Sequence, residues 1–259
     1  MGFFFFLHLR LKKNAFMLTL LKREINGFFS SLTGYIVVIV FLVLNGLFLW
    51  VFPGEFNVLE SGYSTLDPMF ILAPWVFLFL VPAVTMRLFS DEKRTGTLEL
   101  LLSRPLSDLK IILSKYLAGV VLVLLSILPT LVYFFSVMWL GSPRGNLDTG
   151  GFWGSFIGLF FLAGVYVAIG LFTSSITENQ IVSFILGVTG CFLLFLGFSY
   201  ISKLGLSGGL ENFVAGLGIS YHYNSLSRGV IDTRDVLYFV SVIAVFVLFT
   251  KVVLESRKW

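Results

Sequence analysis

The sequence predicts an all-α membrane protein with six transmembrane helices, and three observations carry that expectation. Of 259 residues, 57% are hydrophobic and only 12% charged, about half the charged share of a soluble domain. With a mean hydropathy of +0.95, the chain cannot cover itself with polar surface, so its solvent is largely lipid. Its apolar runs match the roughly 20 helical residues needed to cross a hydrocarbon core of ~30 Å. Those runs are apolar on every side, which excludes the alternating strands of an outer-membrane barrel.

The first 16 residues, MGFFFFLHLRLKKNAF, form an N-terminal arm set apart from a single domain over 17–259. Phe3–Leu7 precede Arg10, Lys12 and Lys13, the reverse of a signal peptide, and Phe6 breaks the myristoylation pattern. Translation from Met1 and translation from Met17 are both open. Leu18–Leu32 places Leu18, Leu21, Ile25, Phe28 and Phe29 near one helical face, with Lys22, Arg23 and Asn26 away from it. That pattern predicts an N-terminal interfacial helix.

The six spans are expected at Tyr35–Phe52, Met69–Phe89, Ile111–Leu140, Phe152–Thr173, Gln180–Tyr200 and Val236–Thr250. Pro74 and Pro82 lie in the second and Pro129 in the third, each removing a backbone donor and tending to kink a helix. The third run exceeds what a span needs, so tilt or projection beyond the bilayer is expected. Gly150, Gly154 and Gly158 open the fourth span at four-residue spacing, followed by Gly164, Ala168 and Gly170. Such a stripe lets another backbone approach closely, first of all one within the chain. Thr177-x-x-Gln180 fits a capping box before the fifth span. Between Ser202 and Asp235, Gly-rich sequence alternates with Phe213, Val214, Leu217, Ile219 and Leu226. Short re-entrant helices dipping into the outer leaflet fit that mixture.

The Lys and Arg residues set the orientation. Fourteen of 18 fall in the N-terminal stretch up to Arg23, in the Arg87–Lys115 connection and at the C-terminal end; four (Arg144, Lys203, Arg228, Arg234) fall on the other side. Both termini and the Arg87–Lys115 connection are therefore expected in the cytoplasm. The basic balance is a topology signal, and without a basic stripe interleaved with aromatics it does not indicate nucleic acid.

Chemistry-bearing patterns are few. Cys191 is the single cysteine and His8 and His222 the only histidines, so a thiolate cluster or His-based metal centre is not expected. Cys191 reads as a small packing residue, and His222, between Tyr221 and Tyr223, as a hydrogen-bonded interfacial residue. No Gly-Lys pair occurs, which excludes a Walker-type phosphate cradle. Gly205-Leu206-Ser207-Gly208-Gly209 matches G-x-S-x-G as a string but lacks the strand a nucleophile elbow needs. The spans carry almost no ionisable residue of the kind that marks a proton path. No catalytic residue is assigned; any energy for work is expected from another subunit.

One segment stands out. Ser90–Pro105, SDEKRTGTLELLLSRP, is charged and then amphipathic between two apolar runs. Asp91, Glu92, Lys93 and Arg94 precede a break at Gly96, Leu98, Leu101 and Leu102 share a face, and Pro105 ends the helix; Ser107 or Asp108 then caps the next one. A short surface helix joined to two spans would pass force to both.

This segment, with G-T-L-E-x-L-L followed by x-x-P-L, resembles the cytoplasmic loop of ABC-2-type transporter permeases. The matching positions are Glu92, Lys93, Arg94, Gly96, Thr97, Leu98, Glu99, Leu101, Leu102, Pro105 and Leu106. The stretch from His222 to Phe239, with Ser227, Arg228 and Gly229 in its external re-entrant part, is similar to the family's pattern before its last span. Within the family the chain most resembles the gliding-motility-associated permease subunits of bacteria (GldF type), with copper-enzyme-maturation permeases as siblings. The resemblance implies a bacterial inner-membrane permease whose coupling helix, between spans 2 and 3, docks on separate ABC ATPase subunits. It also implies ATP and Mg on that partner with no cofactor on this chain, and a second permease subunit, heterodimer favoured and homodimer possible. A structural membrane scaffold for a surface machine is the alternative. The cargo and its direction are not implied.

Overall fold

The computed structural model describes residues 17–103, 107–204 and 208–256, all helices and connections with no strand among them. The N-terminal arm, Pro105 and the core of the G-x-S-x-G string therefore lie outside the described residues.

Helix α1 covers 17–30. It is followed by α2 (Leu32–Trp50), α3 (Asp67–Thr85), α4 (Arg87–Arg94), α5 (Thr97–Leu102), α6 (Asp108–Ile127) and α7 (Leu131–Leu140). Then come α8 (Thr149–Ile176), α9 (Gln180–Phe192), α10 (Phe198–Ser202), α11 (Gly208–Ala215), α12 (Ile219–Leu226) and α13 (Thr233–Glu255). Six stretches are long and apolar enough to cross a membrane: Leu32–Trp50, Asp67–Arg94, Asp108–Leu140, Thr149–Ile176, Gln180–Ser202 and Thr233–Glu255. Each contains or overlaps a span expected from the sequence.

Helix α8 is the axis of the bundle. It packs against α3, α4, α6, α9, α12 and α13, and 78% of its most apolar window is buried, against 17% in α13. The small residues explain how so many neighbours reach it. A Cβ on Gly154 would meet Leu226 and Gly229, one on Gly158 would meet Leu226 and Tyr223, and one on Gly170 would meet Thr85. The stripe thus serves contacts within the chain, as expected. Around it, Phe41 stacks on Phe77 at 4.2 Å between ring centres, and Phe152 sits among Phe70, Phe134 and Phe156. Cys191 is fully buried in the same core.

Several local readings change. Helix α3 runs through Pro74 and Pro82 without ending, whereas Pro129 sits in a short 3-10 turn, 128–130, that divides α6 from α7. The long third run is thus relieved by a break. The fifth span contains a π turn over Leu193–Gly197. Its start is capped by Asn179, which accepts from the Ile181 and Val182 amides, and not by a Thr177/Gln180 box. Thr177 instead accepts from the Asn179 amide, and Gln180 turns toward Asp91. In α1 the buried residue is Leu20, while Leu18 is 64% exposed. Leu21, Ile25, Phe28 and Phe29 of the expected face are partly buried, Lys22, Arg23 and Asn26 are exposed as expected, and the packed side also carries Glu24.

Candidate coupling site

Helix α4 is joined by side chains to five other helices, and the junction begins at Met86. There the α3 hydrogen-bond ladder is interrupted before α4 starts. Ser174 of α8 fills the break: its Oγ accepts from the Phe89 and Ser90 amides at 2.9 and 3.1 Å and donates to the Met86 carbonyl at 3.0 Å. A side chain inserted into the ladder is a recognised cause of a helix break.

The charged residues of α4 then turn to different neighbours. Arg87 donates to Thr33 Oγ1 of α2 at 2.5 Å. Asp91 accepts from the Gln180 amide at the start of α9. Lys93, buried, donates to the Ser175 carbonyl at the end of α8, where the helix dipole favours a cation. Glu92 Oε1 lies 2.9 Å from Lys115 Nζ of α6 and 3.0 Å from Arg23 of α1. Lys115 also reaches Glu24 Oε1 at 3.2 Å and the Leu88 carbonyl at 2.7 Å, with the Phe89 ring 5.2 Å away.

Two cations and two carboxylates therefore join α1, α4 and α6. Burial works against the Arg23 charge, but its bonds to and the fields of Glu24 and Glu92 outweigh that and raise its pKa above the usual range. Beside this network a cavity of about 250 Å³ is lined by Glu24, Thr33, Arg87, Asp91, Glu92 and Lys115. Glu92 Oε2 is buried there with no hydrogen-bond partner among the described residues.

Helix α5 presents a different surface. Gly96 precedes it at φ +69° with open space around its Cα, so glycine is needed for backbone conformation and not for room. Leu98 and Leu101 are each 5% exposed and rest on a small core with Leu20, Phe89, Ile111 and Leu254. Arg94, Thr95, Gly96, Thr97, Glu99 and Leu100 remain exposed, Leu100 by 69%. The sequence grouped Glu92, Lys93, Leu98 and Leu101 with the docking residues. They are brought together here as the support beneath the surface, while Arg94, Gly96, Thr97 and Glu99 lie on the surface itself. The backbone of Leu102 ends α5, and Pro105 lies outside the described residues. Leu100 was missed because it occupies the variable position of the motif, although its place opposite Leu98 and Leu101 was readable from helical spacing.

The region before the last span forms a second polar assembly at the opposite end of α8. His222 Nδ1 lies 2.7 Å from Asp235 Oδ1 and Nε2 lies 2.8 Å from the Gly216 carbonyl, so both nitrogens face acceptors. The imidazole also stacks on Tyr238 at 3.8 Å. His222 thereby ties α12 to α13 and to the turn after α11. Gly229, at φ +82°, presses against Gly150 and Gly151, and the Ser227 carbonyl accepts from Ser155 at 3.5 Å. Arg228 is exposed.

The two assemblies sit at opposite ends of a six-span bundle, one bracing a short exposed helix and the other closing the bundle before its last span. No curated protein matches the chain. Residues 55–259 match the family described as ABC-2 family transporter protein, a stretch that holds α4, α5 and the His222 assembly alike. The chain belongs to the ABC-2 transporter family, the membrane-permease component of ABC transporters, whose members associate with an ABC ATPase.

Proposed function

We propose that this chain receives work from a separate ATPase through α4 and α5, and turns it into export or membrane work in the inner membrane of a bacterium. The observation that carries the reading is the division of labour in this segment. An exposed face on α5 rests on buried Leu98 and Leu101, and α4 is bonded to α1, α2, α6, α8 and α9. A displacement of α5 would therefore reach most of the bundle and not one span. ATP and Mg act on the partner; linkage requires that ATP bind one conformation of the assembly more tightly, or the equilibrium does not shift.

The basic residues support a cytoplasmic placement of this end: Lys22 and Arg23 lie on α1, Arg87 and Arg94 at the two ends of α4, and Lys110 in the first turn of α6. The termini would lie on the same side. Pairing with a second, different permease and service in gliding motility follow from the sequence resemblance. Glu99→Lys and Leu100→Asp, both on the exposed face, test the reading in the reconstituted complex. They should lower permease-stimulated ATP hydrolysis about tenfold or more while insertion and thermal stability stay unchanged. Normal stimulation would remove the docking role from this surface. A scaffold would keep its function when the partner's ATPase is inactivated, whereas the proposed permease would lose it.

A further inference from the structure

The crevice at the end opposite α5 has the build of a phospholipid site. It holds about 510 Å³ between α3, α8, the π turn and α12, within the roughly 300–1,000 Å³ usual for ligand pockets. Its floor is dry: Phe70, Phe195 and Tyr223 are each at most 7% exposed, and the Tyr223 hydroxyl is consumed by the Phe70 carbonyl at 2.6 Å. Its flank carries Ile71 and Trp75, 57% and 40% exposed on a membrane-spanning helix, so the crevice opens sideways toward acyl chains.

The rim is charged. Asp67, at the first turn of α3, and Arg228, just after α12, both line it and both are exposed. Neither has an ion-pair partner among the described residues, and they do not pair with each other. One end of the crevice thus offers an unpaired cation and an unpaired anion, and the other an apolar slot bounded by Ile71, Trp75 and Phe195.

We propose that this crevice binds a phospholipid with a zwitterionic head, its phosphate on Arg228, its ammonium on Asp67 and an acyl chain along Trp75 and Phe195. A net anionic head would set its charge against Asp67, and an uncharged head would leave both rim charges unused. Arg is suited to phosphate because its guanidinium offers several donors in one plane. The inference goes beyond the coupling role and needs no ATPase, so its failure would leave that role untouched.

Binding to the purified full chain in detergent, read by native mass spectrometry, tests it with three probes: dioleoyl phosphatidylethanolamine, dioleoyl phosphatidylglycerol and dioleoylglycerol. Phosphatidylethanolamine should bind best. Arg228→Gln should weaken it about tenfold or more, the size of one lost charge-assisted bond. Arg234→Gln, an exposed change at the same end but outside the crevice, should not. Asp67→Asn should raise phosphatidylglycerol toward phosphatidylethanolamine. Equal retention of the three lipids, or equal losses in Arg228→Gln and Arg234→Gln, would mean non-specific annular lipid and overturn the site. Competition by glycerophosphoethanolamine, which has the head without chains, at concentrations as low as the lipid itself needs would overturn the apolar half.

Discussion

Lys115 Nζ lies 2.9 Å from Glu92 Oε1, with the lysine side chain 1% exposed. Glu24 shares the same ammonium. Lys115→Met would leave Glu24 and Glu92 close together and half-buried with only the more exposed Arg23 between them, and removing one partner of a buried pair costs about 3–5 kcal/mol. The expected result is a fall of about 10 °C in thermal midpoint in detergent. Adding Glu24→Gln and Glu92→Gln to Lys115→Met should restore most of it, because the under-compensated carboxylates are gone and Arg23, 54% exposed, can turn to water. Melting followed by size exclusion checks both steps.

Ser174 makes a sharper prediction, because its hydroxyl bonds the helix break at Met86. Ser174→Ala keeps the volume of α8 nearly unchanged and leaves the Phe89 and Ser90 amides without that acceptor. An unsatisfied buried donor costs about 1–3 kcal/mol. Loss of ordering should be local: amide hydrogen exchange at 86–94 should speed up while the rest of α3 and α8 stays protected. Uniform acceleration across α3 and α8 would show that Ser174 merely contributes to global stability.

Much of this architecture was legible because the six spans and the α8 glycines follow directly from apolar length and spacing. The coupling segment was legible as a position and only partly as a surface. Its charges read as part of a docking loop, yet Glu92 and Lys93 find partners within the chain more than 20 residues away in sequence, which no local periodicity reports. Glu24 escaped notice for the same reason: its partner Lys115 lies 91 residues away on α6. Asn179 was missed because Thr177 and Gln180 mimic a capping box, while Gln180 is drawn to Asp91 instead. His222 was readable as a hydrogen-bonded residue, but its partner Asp235 lies on the following span.

The two faces of α5 should separate under substitution. Leu98→Asp places a carboxylate in the small core with Leu20 and Ile111 and should cost several kcal/mol, of the order seen when an unpaired charge is buried. Leu100→Asp, on the exposed side, should change stability by about 0.5 kcal/mol or less. If both variants lose stability alike, Leu100 is packed rather than presented. Gly96→Ala should cost about 1–2 kcal/mol, since alanine at φ +69° is strained whatever space surrounds it. Thermal midpoints of the three variants, measured side by side, decide the assignment.

Gly154 and Gly229 both lie in the contact between α8 and the turn after α12, and neither has room for a side chain. A Cβ on Gly154 would lie 2.8 Å from the Gly229 Cα and closer still to the Leu226 carbonyl. One on Gly229 would lie 2.8 Å from the Gly150 carbonyl carbon. Both obstacles are backbone, so no rotamer change relieves them. Gly154→Ala should therefore push α12 away and destabilise by about 1–3 kcal/mol. Gly209→Ala, with nothing within 4 Å, should be neutral or slightly stabilising because alanine favours the helix. Because the turn carries Ser227 and Arg228 at the crevice, Gly154→Ala should also lower phosphatidylethanolamine retention, and Gly209→Ala should leave it unchanged. Loss of stability without loss of retention would mean that the turn moves as a unit and keeps its rim intact.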